Sequence, residues 1–264
     1  MDKLFKCLTD PGSLERPLVM GILNITPDSF HDGGRYFDAY RALLQARLLA
    51  EEGADIIDIG AASSRPGYTP VSAEEELYRL LPVLAELEKE ELPTLSVDTD
   101  KLEVAAAAVE HGVMIINDTS GDLESGCFEL AASKNVPLIV MHRQAGAEDR
   151  DIVSEVEDFF KASLVKAAEV GLSEKLLILD PGLGFNKSIE DNNVLIDAIP
   201  QLRCFGRPLL IGYSHKRFAA AIAGESPGMA PLGNAILAEK VSRLGADIVR
   251  VHDVRAFLES VRNG

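Results

Sequence analysis

The chain has no tryptophan, only three cysteines, and no apolar run near the ~18–20 residues that a membrane-spanning helix needs. Each shortage removes a class of protein. A helical membrane span is not expected. The N-terminal stretch, MDKLFKCLTDPGSLERP, has too short an apolar centre for a signal peptide, and no small-residue cleavage site follows it. It reads as mature sequence of a cytoplasmic protein. Cys7, Cys127 and Cys204 are odd in number and far apart, and no pair has metal-finger or redox spacing. They read as small buried or surface thiols in a reducing compartment. Positive charge is scarce too, with 26 Lys and Arg against 42 Asp and Glu, a formal net charge of −16. Nucleic acid and anionic membranes both require a basic face, so neither is expected as a partner. An anionic small substrate stays open, provided that a few cations are placed locally.

Hydrophobic residues make up 47% and charged residues 26% of the chain, an ordinary globular composition. The length of 264 residues suits one large α/β domain, and an eightfold barrel takes about 250. The informative feature is a repeated ending. Eight apolar, strand-like runs each finish on a polar or charged residue: LVMGILN at Asn24, ADIIDIG around Asp58, LPTLSVD at Asp98, VMIIND at Asn117 and Asp118, VPLIVMH at His142, KLLILD at Asp180, PLLIGYSHK at Lys216, and ADIVRVH at Arg250 and His252. If the strands are parallel and close on each other, those ends share one rim, and the C-terminal rim is where barrel chemistry is done.

Helical periodicity alternates with these runs, predicting helices near 38–52, 74–90, 101–111, 126–134, 151–170, 189–203, 231–244 and 254–262. In the first, Ala42, Leu43, Ala46 and Leu49 form one stripe, with Arg41, Gln45 and Glu52 opposite. Gly53 then releases the chain into the next strand, and Gly112, Gly171 and Gly245 repeat the device. A helix, a glycine and a β-branched run, repeated, mark βα units on a parallel sheet. Two long polar stretches, 26–37 and 61–75, follow the first and second strands. Loops of that length are functional or disordered as a rule, and these have the Pro, Gly, Ser and Asp content of a mobile lid; simple surface excursions are the alternative.

The segments GILNITPDSFHDGG (21–34), DIIDIGAASSRPG (55–67), SVDT (96–99), INDTSG (116–121), VMH (140–142), LDPGLGF (179–185), GYSHKRF (212–218) and VRVHDV (249–254) resemble those of dihydropteroate synthases, in the family's order and over about residues 18 to 254. The resemblance implies a single-domain (β/α)8 TIM barrel over residues 1–264 with two mobile loops after strands 1 and 2. It implies a transferase of folate biosynthesis and a target of sulfonamides. Such an enzyme condenses 6-hydroxymethyl-7,8-dihydropterin pyrophosphate with p-aminobenzoate, releasing pyrophosphate and forming 7,8-dihydropteroate. Mg²⁺ and a homodimer built on the outer helices come with it.

The residues make physical sense of that reading. A pterin edge offers a ring N–H and an exocyclic amine, which one buried carboxylate accepts together. By resemblance Asp180 is that carboxylate, although Asp-Pro-Gly alone equally starts a turn. Asp98 and Asn117 match further pterin contacts; Asp98 or Thr99 capping the next helix, and Asn117-Asp118 as ordinary loop, are the alternatives. Lys216 supplies donors to the pterin carbonyl and ring nitrogen, unless it is a solvated surface lysine. Departure of pyrophosphate is helped chiefly by charge and position. Arg250 and His252, at i and i+2, share a face of the last strand, where barrels commonly bind phosphate. Asn24 resembles the family's Mg²⁺ ligand, and magnesium takes few protein oxygens beside substrate phosphates. By resemblance Asp32 and Phe30 of the first loop and Ser64, Arg65 and Pro66 of the second fold over the substrates. Arg65 would meet the departing anion or a loop carboxylate such as Asp32. Phe30, Pro66 and Phe185 would wall the aminobenzoate ring, with Ser64 and Arg217 beside it, and Asp98, Lys216, Asp32 and Arg65 would carry the chemistry. The mechanism implied is early loss of pyrophosphate, then attack by the arylamine, with no enzyme nucleophile.

Some positions depart from the family's pattern. Ala62 stands where an acidic residue is common, and Ser64 where threonine is. His215 replaces an arginine in SHKR, and Arg217 occupies a variable position. With an ordinary pKa near 6.5, His215 predicts weaker aminobenzoate binding as pH rises. Rival readings are a folate-to-corrinoid methyltransferase, which shares the pterin anchor but needs no pyrophosphate site, and a non-catalytic pterin-binding paralogue, which Ala62 and His215 keep open. A phosphate-binding barrel lyase would be expected to carry a lysine within a strand, whereas Lys216 lies at a strand's far end.

Overall fold

The computed structural model describes residues 2–26, 35–62, 71–143, 151–213 and 230–263. Its eight strands are β1 (Leu18–Asn24), β2 (Ile56–Gly60), β3 (Thr94–Thr99), β4 (Ile115–Asp118), β5 (Leu138–Met141), β6 (Leu177–Asp180), β7 (Leu210–Gly212) and β8 (Ile248–Val251). All the ladders are parallel and run β6-β5-β4-β3-β2-β1-β8-β7. A parallel bridge between Leu179 and Leu209, with the Leu179 N–H donating to the Pro208 carbonyl at 2.9 Å, joins β6 to β7 and closes the ring. The fold is the (β/α)8 barrel.

The helices are α1 (Asp2–Thr9), α2 (Arg35–Glu52), α3 (Ala73–Leu87), α4 (Leu102–Glu110), α5 (Cys127–Lys134), α6 (Ile152–Val170), α7 (Ile189–Asp197), α8 (Ile199–Leu202), α9 (Ala230–Leu244) and α10 (Val254–Asn263). The α2 stripe lies as its spacing predicts, with Ala42, Leu43, Ala46 and Leu49 buried and Gln45 exposed. The glycine releases hold too: Gly53, Gly112, Gly171 and Gly245 all have positive φ. One helix is expected over 189–203, but the structure breaks it at Ala198. Pro200 has no N–H to give the Ile196 carbonyl, which interrupts the helical ladder there.

Side chains alternate across each strand, and the alternation builds two cores. Outward residues such as Leu23, Ile57, Val97, Ile116, Leu179 and Val249 are buried against the helices. Inward residues Leu18, Met20, Ile56, Ile115, Ile139, Ile178, Leu210 and Ile248 fill the barrel's lower half. Residues 2–9 carry no element in the periodicity that starts at residue 18, yet they form α1. Its Leu4, Cys7 and Leu8, at i, i+3 and i+4, cap that inner core from below. Cys127 is buried as well and Cys204 is exposed; none of the three forms a disulfide. Among the described residues no helix is long and apolar enough to cross a membrane.

The α1 plug is testable. Leu8 is 5% exposed, so Leu8→Ala is expected to cost about 2–5 kcal/mol of unfolding free energy in equilibrium denaturation. A loss under ~0.5 kcal/mol, the scale of an ordinary surface substitution, would show that α1 does not seal the barrel.

Candidate active site

Two residues above the inner apolar layer the same face turns polar. Ile56 is followed by Asp58, Ile115 by Asn117, Ile178 by Asp180 and Ile248 by Arg250, and on β3 Asp98 follows the already polar Ser96. The register sets these residues side by side, with Asp98 opposite Asn117 and Gly60, and Asp58 opposite Ser96. The barrel thus brings Asp98, Asn117, Asp180 and Arg250 to one mouth, as their strand ends predict.

A single network ties four strands. Arg250 donates from Nε to Asp58 Oδ2 at 2.6 Å and from Nη2 to Asp98 Oδ2 at 2.5 Å. Asn117 Nδ2 donates to the same Asp58 oxygen at 3.0 Å, and Thr119 Oγ1 to Asp98 Oδ1 at 3.2 Å. Asp58 is 0% exposed. A carboxylate buried there without a counter-charge would be very costly, and the guanidinium beside it supplies that charge. Burial alone would lower the Arg250 pKa, but Asp58 and Asp98 outweigh it and raise it, leaving a fixed cation. Burial pushes the Asp98 carboxyl up to about 6; Arg250 opposes the shift and Asp58 adds to it. Among the described residues Asp58 Oδ1 and Ser96 Oγ, in adjacent register, are buried with no hydrogen-bond partner.

Asp180 ends β6 and is 6% exposed. Its Oδ1 accepts from the Gly182 N–H at 2.7 Å, so it does start the Asp-Pro-Gly turn while lying at the rim. Gly182 cannot be replaced there: φ is +69°, and a Cβ would lie 1.9 Å from the His142 carbonyl oxygen. Lys187, further along this loop, donates to three backbone carbonyls. His142 packs edge-on against Phe159, ring centroids 5.5 Å apart, and burial beside Lys187 pushes its imidazole down to about 4. It is neutral at physiological pH.

The other expected residues fall as follows. Asn24 closes β1 beside Gly60, and Asn24 Oδ1 and Asp98 Oδ2 each lie 3.7 Å from where a Gly60 Cβ would be. His252 follows β8 two residues after Arg250, and Asp253 caps α10 by accepting from the Ala256 N–H at 2.8 Å. Neither Asp98 nor Thr99 caps α4: its N-cap is Lys101, without a side-chain cap bond, and Thr99 Oγ1 accepts from the Lys101 N–H at 3.2 Å. Phe185 is partly buried in the loop after β6, and Ala62 is half-buried after β2. Phe30, Asp32, Ser64, Arg65, Pro66, His215, Lys216 and Arg217 lie outside the described residues, as do 27–34 and 63–70 of the two long loops. Among the described residues no group of three His, Cys, Asp or Glu side chains is placed to hold a metal.

Sequence reasoning missed Asp58, Thr119 and Lys187 as site residues. Asp58 had a signal: in Ile-Ile-Asp-Ile-Gly it shares the face of Ile56, which an apolar interior would not accept without a partner. Lys187 had none, since only the folded loop shows what its ammonium reaches.

Comparison with known proteins gives the family. Residues 20–252 match the family of pterin binding enzymes. A dihydropteroate synthase of Bacillus subtilis is 40% identical over 94% of this chain and 88% of its own length. A dihydropteroate synthase from Clostridium difficile, solved in the presence of pteroic acid, superposes with a TM-score of 0.89 at 37% identity, covering 94% of this chain and 95% of that one. The Xanthomonas albilineans dihydropteroate synthase with 4-aminobenzoic acid gives a TM-score of 0.88 at 40% identity, covering 94% and 92%.

The buried carboxylate network sets a pH dependence. The Asp98 pKa is raised from 3.8 to about 6, so its contribution to stability is fully present below about pH 4 and is lost as pH rises through about 6. His142, lowered from 6.5 to about 4, acts oppositely: its contribution is present above about pH 6.5 and lost as pH falls through about 4. Asp98→Asn removes only the first. Between pH 4 and 7 the variant is expected to gain on the wild type by on the order of 1–3 kcal/mol, read from denaturation midpoints at each pH. A difference that does not change with pH would contradict the burial of Asp98's charge.

Proposed function

Because this chain belongs to the dihydropteroate synthase family of pterin-binding enzymes, transferases of folate synthesis, we propose that its barrel mouth performs the condensation with the residues described here. The observation that carries the assignment is convergence: Asp98, Asn117 and Arg250 share one hydrogen-bonded network, and Asp180 ends β6 on the same rim, separated from β4 by β5 and from β8 by β7.

The pterin's two adjacent N–H donors fit a buried carboxylate, the part given to Asp180, whose orientation is already fixed by the Gly182 N–H. Asn117 both donates and accepts on the same heterocycle, and Asp98 lies next to it in register. Lys216 would supply the donors that the pterin carbonyl and ring nitrogen need. The reaction breaks the bond between the methylene carbon and the pyrophosphate oxygen and forms a carbon–nitrogen bond to the arylamine, which gives up a proton. Pyrophosphate leaves early because the electron-rich pterin shares the developing positive charge. Asp98, ionised above about pH 6, places negative charge beside that cation. Arg250, His252 and Asn24 would face the anion, with Arg65 of the second loop as a further cation for it. Phe30, Ser64, Pro66, Phe185 and Arg217 hold the aminobenzoate. Closure of the loops bearing Asp32 and Arg65 keeps water from the electrophilic carbon.

Mg²⁺ favours oxygen ligands and substrate phosphates, and the Asn24 side-chain carbonyl at the end of β1 offers one such oxygen. Asn24 would hold the ion, which would supply positive charge against the leaving pyrophosphate. Product-like pteroic acid and 4-aminobenzoic acid accompany the solved relatives, which supports the two substrate halves. A homodimer, a cytoplasmic location and sulfonamide binding complete the proposal on the strength of family membership.

Titration with dihydropterin pyrophosphate, with and without Mg²⁺, followed by a pyrophosphate-release assay with p-aminobenzoate, tests this reading. Wild type is expected to bind and to release pyrophosphate, and Asp180→Asn to bind roughly 100-fold more weakly, the scale of a lost charge-assisted pair. Equal binding by the variant, or no release by wild type, would overturn it.

A further inference from the structure

The lysine of the loop after β6 has no part in the scheme above, and its placement is specific. Lys187 Nζ donates to the carbonyls of His142 at 2.9 Å, Gly182 at 2.9 Å and Phe185 at 3.2 Å. An ammonium has three protons, so these acceptors exhaust it and none remains for a substrate. Two of the acceptors belong to residues that hold Asp180. The His142 N–H donates to the Asp180 carbonyl at 2.9 Å, and the Gly182 N–H to Asp180 Oδ1 at 2.7 Å. His142 and Gly182 thus each grip Asp180 by the N–H and are gripped by Lys187 through the C=O. Their close approach, which no side chain at 182 would allow, makes the spacing of the two loops critical. Asn186, at φ +50°, turns the chain so that Lys187 points back, and its Nδ2 donates to the Arg143 carbonyl at 3.2 Å as a second tie. The capping box of Ser188 and Asp191 then fixes the start of α7 directly after Lys187.

We propose that Lys187 is a positioning residue for the pterin anchor, bracing the loops after β5 and β6 so that the Asp180 carboxylate meets the heterocycle's donors in register. The proposal rests on the pterin-binding reading and adds to it a residue that acts through Asp180. Among the described residues, the charged and titratable groups facing Lys187 are Asp180 of β6, Asp191 of α7, Glu155 of α6 and the neutral His142 after β5. Burial pushes the Lys187 amine down to about 8, against the opposing pull of the three acids. Above that pH the amine has two protons for three carbonyls, and the positive charge near Asp180 is gone.

Calorimetric titration of wild type and Lys187→Met with dihydropterin pyrophosphate from pH 7 to 9 tests the proposal, alongside kcat and KM for both substrates at pH 7. Wild-type affinity is expected to fall several-fold as pH passes about 8. In Lys187→Met the pterin Kd and KM should rise at least tenfold at pH 7, kcat should change less, and the alkaline fall should disappear. A merely structural loss would lower the active fraction, and so kcat, without moving the pterin Kd. A folded Lys187→Met with a pterin Kd within twofold of wild type overturns the proposal. If the variant does not fold, the wild type decides: affinity constant between pH 7 and 9 overturns it equally. Wild type that neither binds the pterin nor releases pyrophosphate at pH 7 would sink the functional reading itself, an outcome distinct from failure of Lys187 alone.

Discussion

One guanidinium holds two carboxylates together at the mouth of the barrel. Asp58 and Asp98 come from neighbouring strands, and side by side in a buried setting they would repel. Arg250 reaches both through separate nitrogens, at 2.6 and 2.5 Å. A lysine could not span them with the same planar fork. The pair is therefore less a source of net stability than a device that fixes where charge is, since a buried ion pair often only breaks even against its desolvation. In a chain with a net charge of −16, one well-placed cation lets acidic side chains serve as acceptors inside the fold.

The rest of the mouth is arranged around that constraint. Asn117 shares the Asp58 oxygen with Arg250, which aligns the amide. Thr119 takes the second Asp98 oxygen. On another part of the rim, the Gly182 N–H holds the Asp180 carboxylate, and Lys187 braces the turn from behind. Two solutions to one problem, a side-chain cation for one carboxylate pair and a braced turn for the other, leave a mouth rich in acceptors. That is what a flat heterocycle with adjacent donors needs.

Much of this was legible in the sequence because strand alternation is strict. Apolar runs ending in polar residues pointed to the barrel and to a shared rim for Asp98, Asn117, Asp180 and Arg250. The glycine after each of four helices marked where the chain turns back, and the positive φ values agree. Three things were not legible, each for a physical reason. Helix α1 precedes the first strand, so the helix–glycine–strand repeat does not mark it, and it gains its place from the barrel floor it covers. The break at Ala198 follows from a proline whose effect depends on where the helix starts. Partnerships such as Arg250 with Asp58, or Lys187 with three carbonyls, join residues far apart in sequence, and no local pattern encodes them.

The central claim is that this one mouth receives the pterin with the Arg250 network in place. A crystal structure of the protein with dihydropterin pyrophosphate bound tests it most directly. The account predicts the heterocycle inside the barrel rim, its N–H edge on Asp180, Asn117 and Asp98 against the ring, and Arg250 still within hydrogen-bonding distance of Asp58. A heterocycle lodged in another cavity, or Arg250 withdrawn from both carboxylates with Asp58 left unpaired, would contradict it.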